Sequence, residues 1–203
     1  MDSLAELKRE FYLRPAEEVA RDLIGCQLTR NYYQNETLLG QKHFLIVETE
    51  AYVGDFDKAC HAYKGRTQRT EVLYSIGGSI YIYLIYGLHN MLNIVTGEEE
   101  KPAAVLIRAL EPLGKIEHSS SKTRVTQGPG KLCKYLDIDR SFNQQDLIHD
   151  KEINIRARGT DFKIKSICSS PRINIDYAEE WKDKPLRFFI SNNAFVSGKV
   201  RSC

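Results

Sequence analysis

Long apolar runs are missing from this sequence of 203 residues. No segment approaches the ~20 consecutive apolar residues that a membrane-spanning helix needs. The N-terminal stretch MDSLAELKREFYLRP alternates charged with isolated apolar residues and contains no apolar core of the signal-peptide type. We therefore expect no membrane association, no secretion signal and an intracellular protein, cytoplasmic if bacterial and nuclear if eukaryotic.

Clustered cysteines are also missing. The chain has five single cysteines, with no C-x-x-C spacing: Cys26, Cys60, Cys133, Cys168 and Cys203. An odd, scattered set predicts free thiols in a reducing compartment rather than a disulfide framework. Cys60 and His61 are adjacent, which makes a poor chelate, and no second Cys/His cluster completes a zinc site. The sequence therefore predicts no metal centre.

A strong excess of either charge is the third absence. Lys and Arg number 29 against 27 Asp and Glu, a formal net charge of +2. That balance is too small to indicate a nucleic-acid partner by itself. The hydrophobic content of 42% is enough for one substantial core at this length.

Helix and strand patterns alternate along the chain. The clearest helix pattern is RPAEEVARDLIGCQL, where Pro15 fits a first helical position and Gly25 a C-terminal stop. Strand patterns follow as two strands around a polar turn in residues 26–54, a hairpin in GSIYIYLIYGLHNMLNIVTG, and AAVLIRAL. Shorter strand-like runs are KEINIRA, FKIKSIC, PRINIDY and LRFFISN. These patterns predict one compact α+β domain over residues 1–203, dominated by short, mostly antiparallel strands.

A polar, basic stretch interrupts these patterns after residue 112. It carries Lys115, Lys122, Arg124, Lys131 and Lys134 against Glu117 alone. We expect a flexible basic loop near residues 114–127, followed by a helix that begins in GPGKLCKYL. GPGK is not a nucleotide-binding loop, because the first glycine and the Ser/Thr after the lysine are absent.

Three tyrosines crowd the stretch YIYLIYGLHN. On a strand, Tyr81 and Tyr83 project from one face, whereas Tyr86 has the opposite parity and lies at the end of the strand. The two kinds of position predict two different environments.

Glu48 and Glu50 lie two residues apart in IVETEAY, so both carboxylates project from one face of a strand. Desolvation and mutual repulsion would make at least one of them harder to ionise, which suits a general base or acid. A solvated strand end is the alternative that spacing leaves open. Arg108, at the end of the apolar run AAVLIRAL, needs a partner if it is buried, and either glutamate could supply it.

Aromatic and basic residues follow the two glutamates. Tyr52, His61 and Tyr63 could line a pocket for a flat, polar or cationic ring. The alternative, which the residues alone favour, is ordinary core packing of the tyrosines and a satisfied surface histidine. Basic residues interleaved with Gly and Thr in HAYKGRTQRT suit contacts to a phosphate backbone, and a solvated surface is the alternative.

Five ordered blocks resemble a known family. IVETEAYVGDFDKACHAYKGRTQRT, GSIYIYLIYGLHNMLNI, AAVLIRALEPL, GPGKLCKYLDI and PRINIDYAEEWKDKPLRFFIS are similar to the 3-methyladenine (alkylpurine) DNA glycosylases of the alkyladenine DNA glycosylase type. The resemblance extends from the helix near Pro15 almost to the C-terminus. It implies a curved, mostly antiparallel sheet with a protruding hairpin and surrounding helices.

The same resemblance implies an activity and a partner. The protein would flip alkylated or deaminated purines, of the 3-methyladenine, 7-methylguanine, hypoxanthine and ethenoadenine type, out of double-stranded DNA. It would then hydrolyse the N-glycosidic bond with an activated water, without strand cleavage, cofactor or metal. Flipping is required because the reacting atoms otherwise lie inside the base stack. A monomer is expected.

Residue roles are carried over from the matched positions. Glu50 would be the general base, with Arg108 and the main-chain carbonyl of Ile173 holding the water. Tyr86 would insert into the duplex where the flipped nucleotide was.

The remaining matches concern the base and the DNA backbone. The flipped base would be sandwiched by Tyr52, His61 and Tyr83. Asn93 would exclude normal guanine by crowding its exocyclic amine. The residues that could contact phosphates are Lys64, Arg66, Arg69 and Lys131.

Two other functions fit parts of the pattern. A non-catalytic binder could stack extruded bases with the same tyrosines, but it has no need for Glu50 paired with Arg108. A glycoside hydrolase could use Glu48 and Glu50, although such enzymes usually take their two carboxylates from separate elements facing a sugar cleft.

Overall fold

The computed structural model describes residues 4–114, 125–159, 166–199 and 202–203. The predicted flexible loop near 114–127 therefore lies mostly outside the described residues. Within the described part of the chain, no helix is both long and apolar enough to cross a bilayer.

Eight strands, counted over the described ranges, form one open, curved sheet in which every pair is antiparallel. Their bounds are β1 Gln27–Gln34, β2 Thr37–Tyr52, β3 Ile80–Ile85, β4 His89–Val95, β5 Ala104–Pro112, β6 Ile153–Arg156, β7 Ile167–Ser170 and β8 Arg187–Ile190. The order is β3-β4-β5-β2-β1-β6, and β8 joins β7 to β2. The predicted α+β fold with a mostly antiparallel sheet is confirmed.

Short helices flank this sheet. They are α1 Arg9–Tyr12, α2 Ala16–Leu23 and α3 Pro129–Tyr135, with 3-10 turns at His61–Lys64, Glu71–Tyr74, Arg140–Phe142 and Asp176–Trp181. The predicted helix after Pro15 is confirmed as α2, which buries its apolar face on the sheet. The helix predicted in GPGKLCKYL is confirmed as α3.

The longest strand, β2, is the centre of the fold. Its residues 44–51 are all buried, because β2 pairs with both β5 and β8 while α2 covers one face. On that face the Thr49 hydroxyl donates to the Ala20 carbonyl of α2 at 2.8 Å. Pairing between β2 and β5 shifts register between Ile46 and Thr49. Such bulges re-aim side chains, and this one lies where Glu48 and Arg108 meet.

Two predictions from the sequence are wrong. PRINIDY is not a strand: Pro171 has no N–H to donate, and the Ile173 N–H bonds the Glu50 carboxylate instead of a neighbouring strand. The five cysteines are not all free, because Cys168 and Cys203 form a disulfide that joins β7 to the C-terminal segment. Cys26, Cys60 and Cys133 are free and buried. The distant pairing of residues 168 and 203 has no local signal in the sequence.

Candidate active site

The β3–β4 hairpin presents its tyrosines to two environments. Tyr81 is buried at 2% exposure, Tyr83 is half-buried beside it with ring centroids 5.4 Å apart, and Tyr86 is 91% exposed. The alternation predicted from the parity of the three residues is therefore confirmed. One hairpin contributes both a wall and a projecting ring.

The turn that projects Tyr86 has an uncommon backbone. Tyr86 and Gly87 both have positive φ, 52° and 68°, and the Leu88 N–H donates to the Ile85 carbonyl at 3.0 Å. Two consecutive positive φ values spanned by this hydrogen bond are the pattern of a type I′ turn. Gly87 adopts this conformation without strain, whereas a tyrosine does so at a cost of about 1 kcal/mol or more. Tyr86 thus projects its ring from a left-handed backbone conformation that a tyrosine disfavours.

A cavity of about 670 Å³ opens beside the hairpin. Among its lining residues are six of those predicted for catalysis and base binding: Tyr52, His61, Tyr83, Asn93, Arg108 and Ile173. Tyr86, Arg69 and Lys131 also line it. Residues from β2, the 61–64 turn, β3, β4, β5 and the segment after β7 therefore converge on one space of the size that holds a small ligand.

Aromatic rings form one side of this cavity. His61 and Tyr83 pack edge to face with centroids 4.5 Å apart, and the Arg69 guanidinium lies 5.7 Å from the Tyr83 ring centre. The Tyr81 hydroxyl shares a 2.9 Å hydrogen bond with His61 Nδ1, which fixes the imidazole plane. Burial, aided by Arg69 and Lys64, lowers the pKa of His61 to about 4, so the ring is neutral near pH 7.

Glu50 lies behind the cavity wall and is fully buried. Three groups fix its carboxylate: the Tyr52 hydroxyl donates at 3.0 Å, the Ile173 N–H at 2.7 Å, and Arg108 Nη1 lies at 3.2 Å. Burial and the Glu50 charge hold the pKa of Tyr52 well above its ordinary value, so the phenol keeps the proton that it donates. Each of the three groups belongs to a residue that lines the cavity. Glu50 is therefore separated from the cavity by a single layer of residues.

Arg108 bridges both glutamates of β2. Its Nε donates to Glu48 Oε1 at 3.1 Å while its Nη1 faces Glu50 Oε2. Burial alone would lower the pKa of Arg108, but the Glu50 and Glu48 carboxylates outweigh that effect and hold it above its ordinary value. The expectation that Arg108 would find its partner in one of the two glutamates is confirmed for both. The structure thus excludes a solvated strand end.

A second buried ion pair supports Tyr52 and Ile173 from behind. Arg172 binds the Asp57 carboxylate through both terminal nitrogens, at 2.5 and 2.8 Å, with both side chains fully buried. The Arg172 guanidinium also lies 4.7 Å from the centre of the Tyr52 ring. This pair fixes the segment after β7 against β2, and thereby fixes the Ile173 N–H on Glu50.

Asn93 is held rigidly at the cavity wall. Asn93 is 2% exposed, and its amide nitrogen donates to the Tyr81 carbonyl at 3.2 Å and the Met91 carbonyl at 3.1 Å. With both amide protons engaged, the side chain cannot move aside for a larger base. Its position suits the steric exclusion predicted for it.

The four predicted backbone-binding residues have different surroundings. Arg69 and Lys131 line the main cavity, and Lys64 lines an adjoining cavity of about 370 Å³ together with Arg69. Arg66 donates to Glu71 and Glu100 at 2.6–2.9 Å, and neither cavity includes it. The charge of Arg66 is therefore already balanced by two carboxylates.

Several important residues were not assigned a role from the sequence. Arg187 lies inside the apolar run LRFFIS, the same signal that drew attention to Arg108, and could have been found. Asp57 lies in the acidic stretch VGDFDKAC, and Arg172 follows a proline in a run that the sequence predicts as a strand. Their pairing joins residues 115 positions apart, so no local pattern reveals it.

In the part of the chain that the structure describes, no three His, Cys, Asp or Glu side chains are grouped so as to hold a metal ion. The groups that face the cavity are aromatic rings, a neutral imidazole, an amide and the arginine–glutamate pair. This set can stack on a flat ring and can hold and deprotonate a small nucleophile.

Comparisons with known proteins agree with this chemistry. A family model described as Methylpurine-DNA glycosylase (MPG) matches residues 10–194. A relative from Natranaerobius thermophilus is 47% identical over 201 residues, covering 95% of this chain and 98% of the relative. One from Methanocella arvoryzae is 44% identical over 201 residues, covering 96% of each. Both relatives bear the name "Putative 3-methyladenine DNA glycosylase".

Proposed function

Because the chain belongs to the methylpurine-DNA glycosylase family, we propose that its cavity receives a damaged purine flipped from double-stranded DNA. The resemblance seen in the sequence blocks is thereby confirmed. As a member of this family, the chain is a monofunctional DNA glycosylase that hydrolyses N-glycosyl bonds in base excision repair. What we propose below concerns the lesions, the duplex and the residues.

The observation that carries the proposal is the position of Glu50 directly behind a ring-lined cavity. Its carboxylate is fully buried and is fixed by Tyr52, Ile173 and Arg108, each of which also faces the cavity. Glu50 would take a proton from a water held beside Arg108 and the Ile173 main-chain carbonyl. Positioned proton transfer of this kind contributes about 10²–10⁴-fold to a rate.

The aromatic wall selects the ligand. Tyr52, His61 and Tyr83 present ring faces and edges to a flat base, and electron-rich rings attract the positive charge of an N3- or N7-alkylated purine. Such a cationic purine is already a good leaving group, so a base and a positioned water are sufficient chemistry. We propose alkylated purines as the principal substrates and hypoxanthine and ethenoadenine as slower ones.

The neutral His61 is consistent with this ligand. A protonated His61 would add to the positive charge that Arg69 and Arg108 already bring to the cavity and would repel an alkylated purine further, and the lowered pKa of His61 avoids that addition at neutral pH. Asn93 completes the selection by occupying the space that the exocyclic amine of guanine needs. Normal guanine would then meet a rigid, buried amide.

The hairpin tip and the basic residues around the cavity would contact the duplex. Tyr86, exposed and adjacent to the cavity, would insert between base steps and replace part of the stacking that the flipped base loses. Lys64, Arg69 and Lys131 would contact phosphates around the cavity. Arg66 would join them only after giving up Glu71 and Glu100. We expect one monomer to act on one lesion.

The two rival functions are less well supported. A glycoside hydrolase needs both carboxylates at the substrate, but Glu48 is fully buried and its two oxygens accept four hydrogen bonds. A non-catalytic binder has no use for a buried Glu50–Arg108 pair, since leaving two charges out of water is costly.

Single-turnover release tests the proposal. Duplexes carrying one 7-methylguanine, ethenoadenine, hypoxanthine or undamaged guanine are mixed with excess protein, and free base and strand breaks are measured separately. We expect release of the first three and no release of guanine, with no strand break before alkaline treatment. Ethenoadenine and hypoxanthine lack the exocyclic amine of guanine. 7-Methylguanine carries that amine, but its cationic ring leaves more easily than guanine and attracts the aromatic wall, which offsets the crowding by Asn93. Binding without release of any base would support the non-catalytic alternative, and equal release of guanine would contradict the role of Asn93.

A further inference from the structure

A cluster of four buried charges lies under the cavity wall. It consists of Glu48, Glu50, Arg108 and Arg187, two of each sign, each of them less than 10% exposed. The proposed reaction uses only Glu50 and Arg108. Burying the other two charges, those of Glu48 and Arg187, costs free energy of desolvation that only their partners offset.

Glu48 does not face any ligand. Its Oε1 accepts from Arg187 Nε at 2.6 Å, Ser197 Oγ at 3.0 Å and Arg108 Nε at 3.1 Å, and its Oε2 accepts from the Ser197 N–H at 2.6 Å. Glu48 is fully buried and is not among the residues that line the cavity. Any effect on the reaction must therefore pass through Arg108.

The contact between Glu48 and Arg108 fixes an orientation. A guanidinium is planar, so holding its Nε on Glu48 determines where its terminal nitrogens point. Arg108 Nη2 is held further by Ser197 Oγ at 3.2 Å, which leaves Nη1 directed at Glu50 Oε2 at 3.2 Å. Glu48 and Ser197 thus anchor one side of the guanidinium while the other side faces Glu50.

Charge balance gives Glu48 a second effect. Arg187 and Arg108 together carry two positive charges, and Glu48 neutralises one of them. Without that negative charge the cluster would be positive, and Arg108 would bind Glu50 more strongly. A carboxylate that is bound more tightly in its ionised form is a weaker base.

We propose that Glu48 is a positioning residue for the glycosylase reaction: it aims Arg108 at Glu50 and, together with Arg187, sets how readily Glu50 accepts a proton. The proposal rests on the role proposed above for Glu50. It assigns the first glutamate of IVETEAY to tuning the second, rather than to binding substrate or water.

Two single variants with opposite charge changes test it. Glu48→Gln keeps the shape but leaves the cluster with an extra positive charge, whereas Arg187→Met leaves it with an extra negative charge. The acidic limb of the pH–rate profile reports ionisation of the general base. We expect this limb to move to lower pH in Glu48→Gln and to higher pH in Arg187→Met, by about half a pH unit or more in each case.

The release rate on the plateau provides the second readout. In Glu48→Gln it should fall about tenfold or more, because Arg108 is aimed less well and Glu50 is a weaker base. Lesion binding should stay within about threefold, since Glu48 does not line the cavity. Glu17→Gln, on the exposed face of α2, is the matched control and should change neither quantity.

The outcomes separate the two proposals. If the acidic limb of the pH–rate profile stays in place, or moves in the same direction in both variants, the role of Glu48 is overturned. If a single variant fails to fold, the charge-neutral double variant Glu48→Gln with Arg187→Met decides: a tenfold slower release with unchanged binding supports the role, and an unchanged rate overturns it. Release by Glu50→Gln at a near-normal rate would instead overturn the role proposed for Glu50, and binding without release by the unchanged protein would overturn the proposed function.

Discussion

The buried charge cluster under β2 and the exposed tip of the β3–β4 hairpin lie on one sheet but differ in burial, hydrogen bonding and backbone conformation. Under β2, Glu48 and Glu50 are fully buried and each of their oxygens has a donor. At the tip, Tyr86 is 91% exposed on a left-handed backbone. The two roles proposed for these regions need such a difference: activation of a water needs hydrogen-bond donors at fixed positions, and insertion into DNA needs a ring that projects into solvent.

The two regions are also stabilised differently. Burying an ion pair gains little over apolar packing, but removing one partner leaves an uncompensated charge. The tip buries little, so a change there should alter the turn geometry and the proposed contact with DNA rather than the core. Substitutions under β2 should therefore affect stability or rate, and substitutions at the tip should affect binding.

The largest effect is expected for Asp57→Asn, which breaks the buried pair with Arg172. The loss of a charge partner for a fully buried guanidinium should lower the free energy of unfolding by about 3 kcal/mol. Denaturant unfolding measures it. Asp183→Asn, at an exposed position, is the control and should change it by less than about 0.5 kcal/mol. Equal effects at both sites would contradict the contrast between buried and exposed regions.

A smaller effect on the free energy of unfolding is expected from the protonation of His61 as the pH falls. Its pKa is about 4 in the folded protein and is 6.5 ordinarily, so the unfolded chain binds the proton first as the pH falls. The free energy of unfolding should then decrease between pH 6.5 and 4, by at most about 3 kcal/mol. His61→Phe should remove this part of the pH dependence, and His149→Phe, at an exposed position, should leave it intact. The same slope in both variants would show that His61 is not held neutral.

The smallest effect is expected for Tyr86→Asn, and it has opposite signs in two assays. Asn-Gly is the preferred pair of a type I′ turn, so the free energy of unfolding should rise by about 1 kcal/mol. Lesion binding should weaken, because the inserting ring is lost. Gly87→Ala is the matched control and should lower the free energy of unfolding, since alanine is strained at a φ of 68°. A loss of stability in Tyr86→Asn would show that the ring packs on the protein instead of projecting.

The comparison of these regions also shows what the sequence could reveal. Parity in YIYLIYGLHN placed Tyr83 and Tyr86 in different environments, and the isolated charge of Arg108 predicted a glutamate partner, because both signals are local or obligatory. The pairing of Asp57 with Arg172 depends on how distant segments meet, so no spacing could predict it. PRINIDY was misread as a strand because its alternation resembles one, whereas Ile173 gives its N–H to Glu50. The roles of individual residues came from the resemblance to the family and stay predictions.

The most direct test follows flipping and release together in Glu50→Gln and Tyr86→Ser. A duplex with one ethenoadenine is mixed with each protein, fluorescence reports flipping, and quenched samples report free base. We expect Glu50→Gln to flip the base at a near-normal rate and to release it about 10³-fold more slowly. Tyr86→Ser should flip it less and bind it about tenfold more weakly, since base stacking on an aromatic ring is worth about 1–3 kcal/mol. Near-normal release by Glu50→Gln would contradict the central claim that the buried glutamate performs the chemistry.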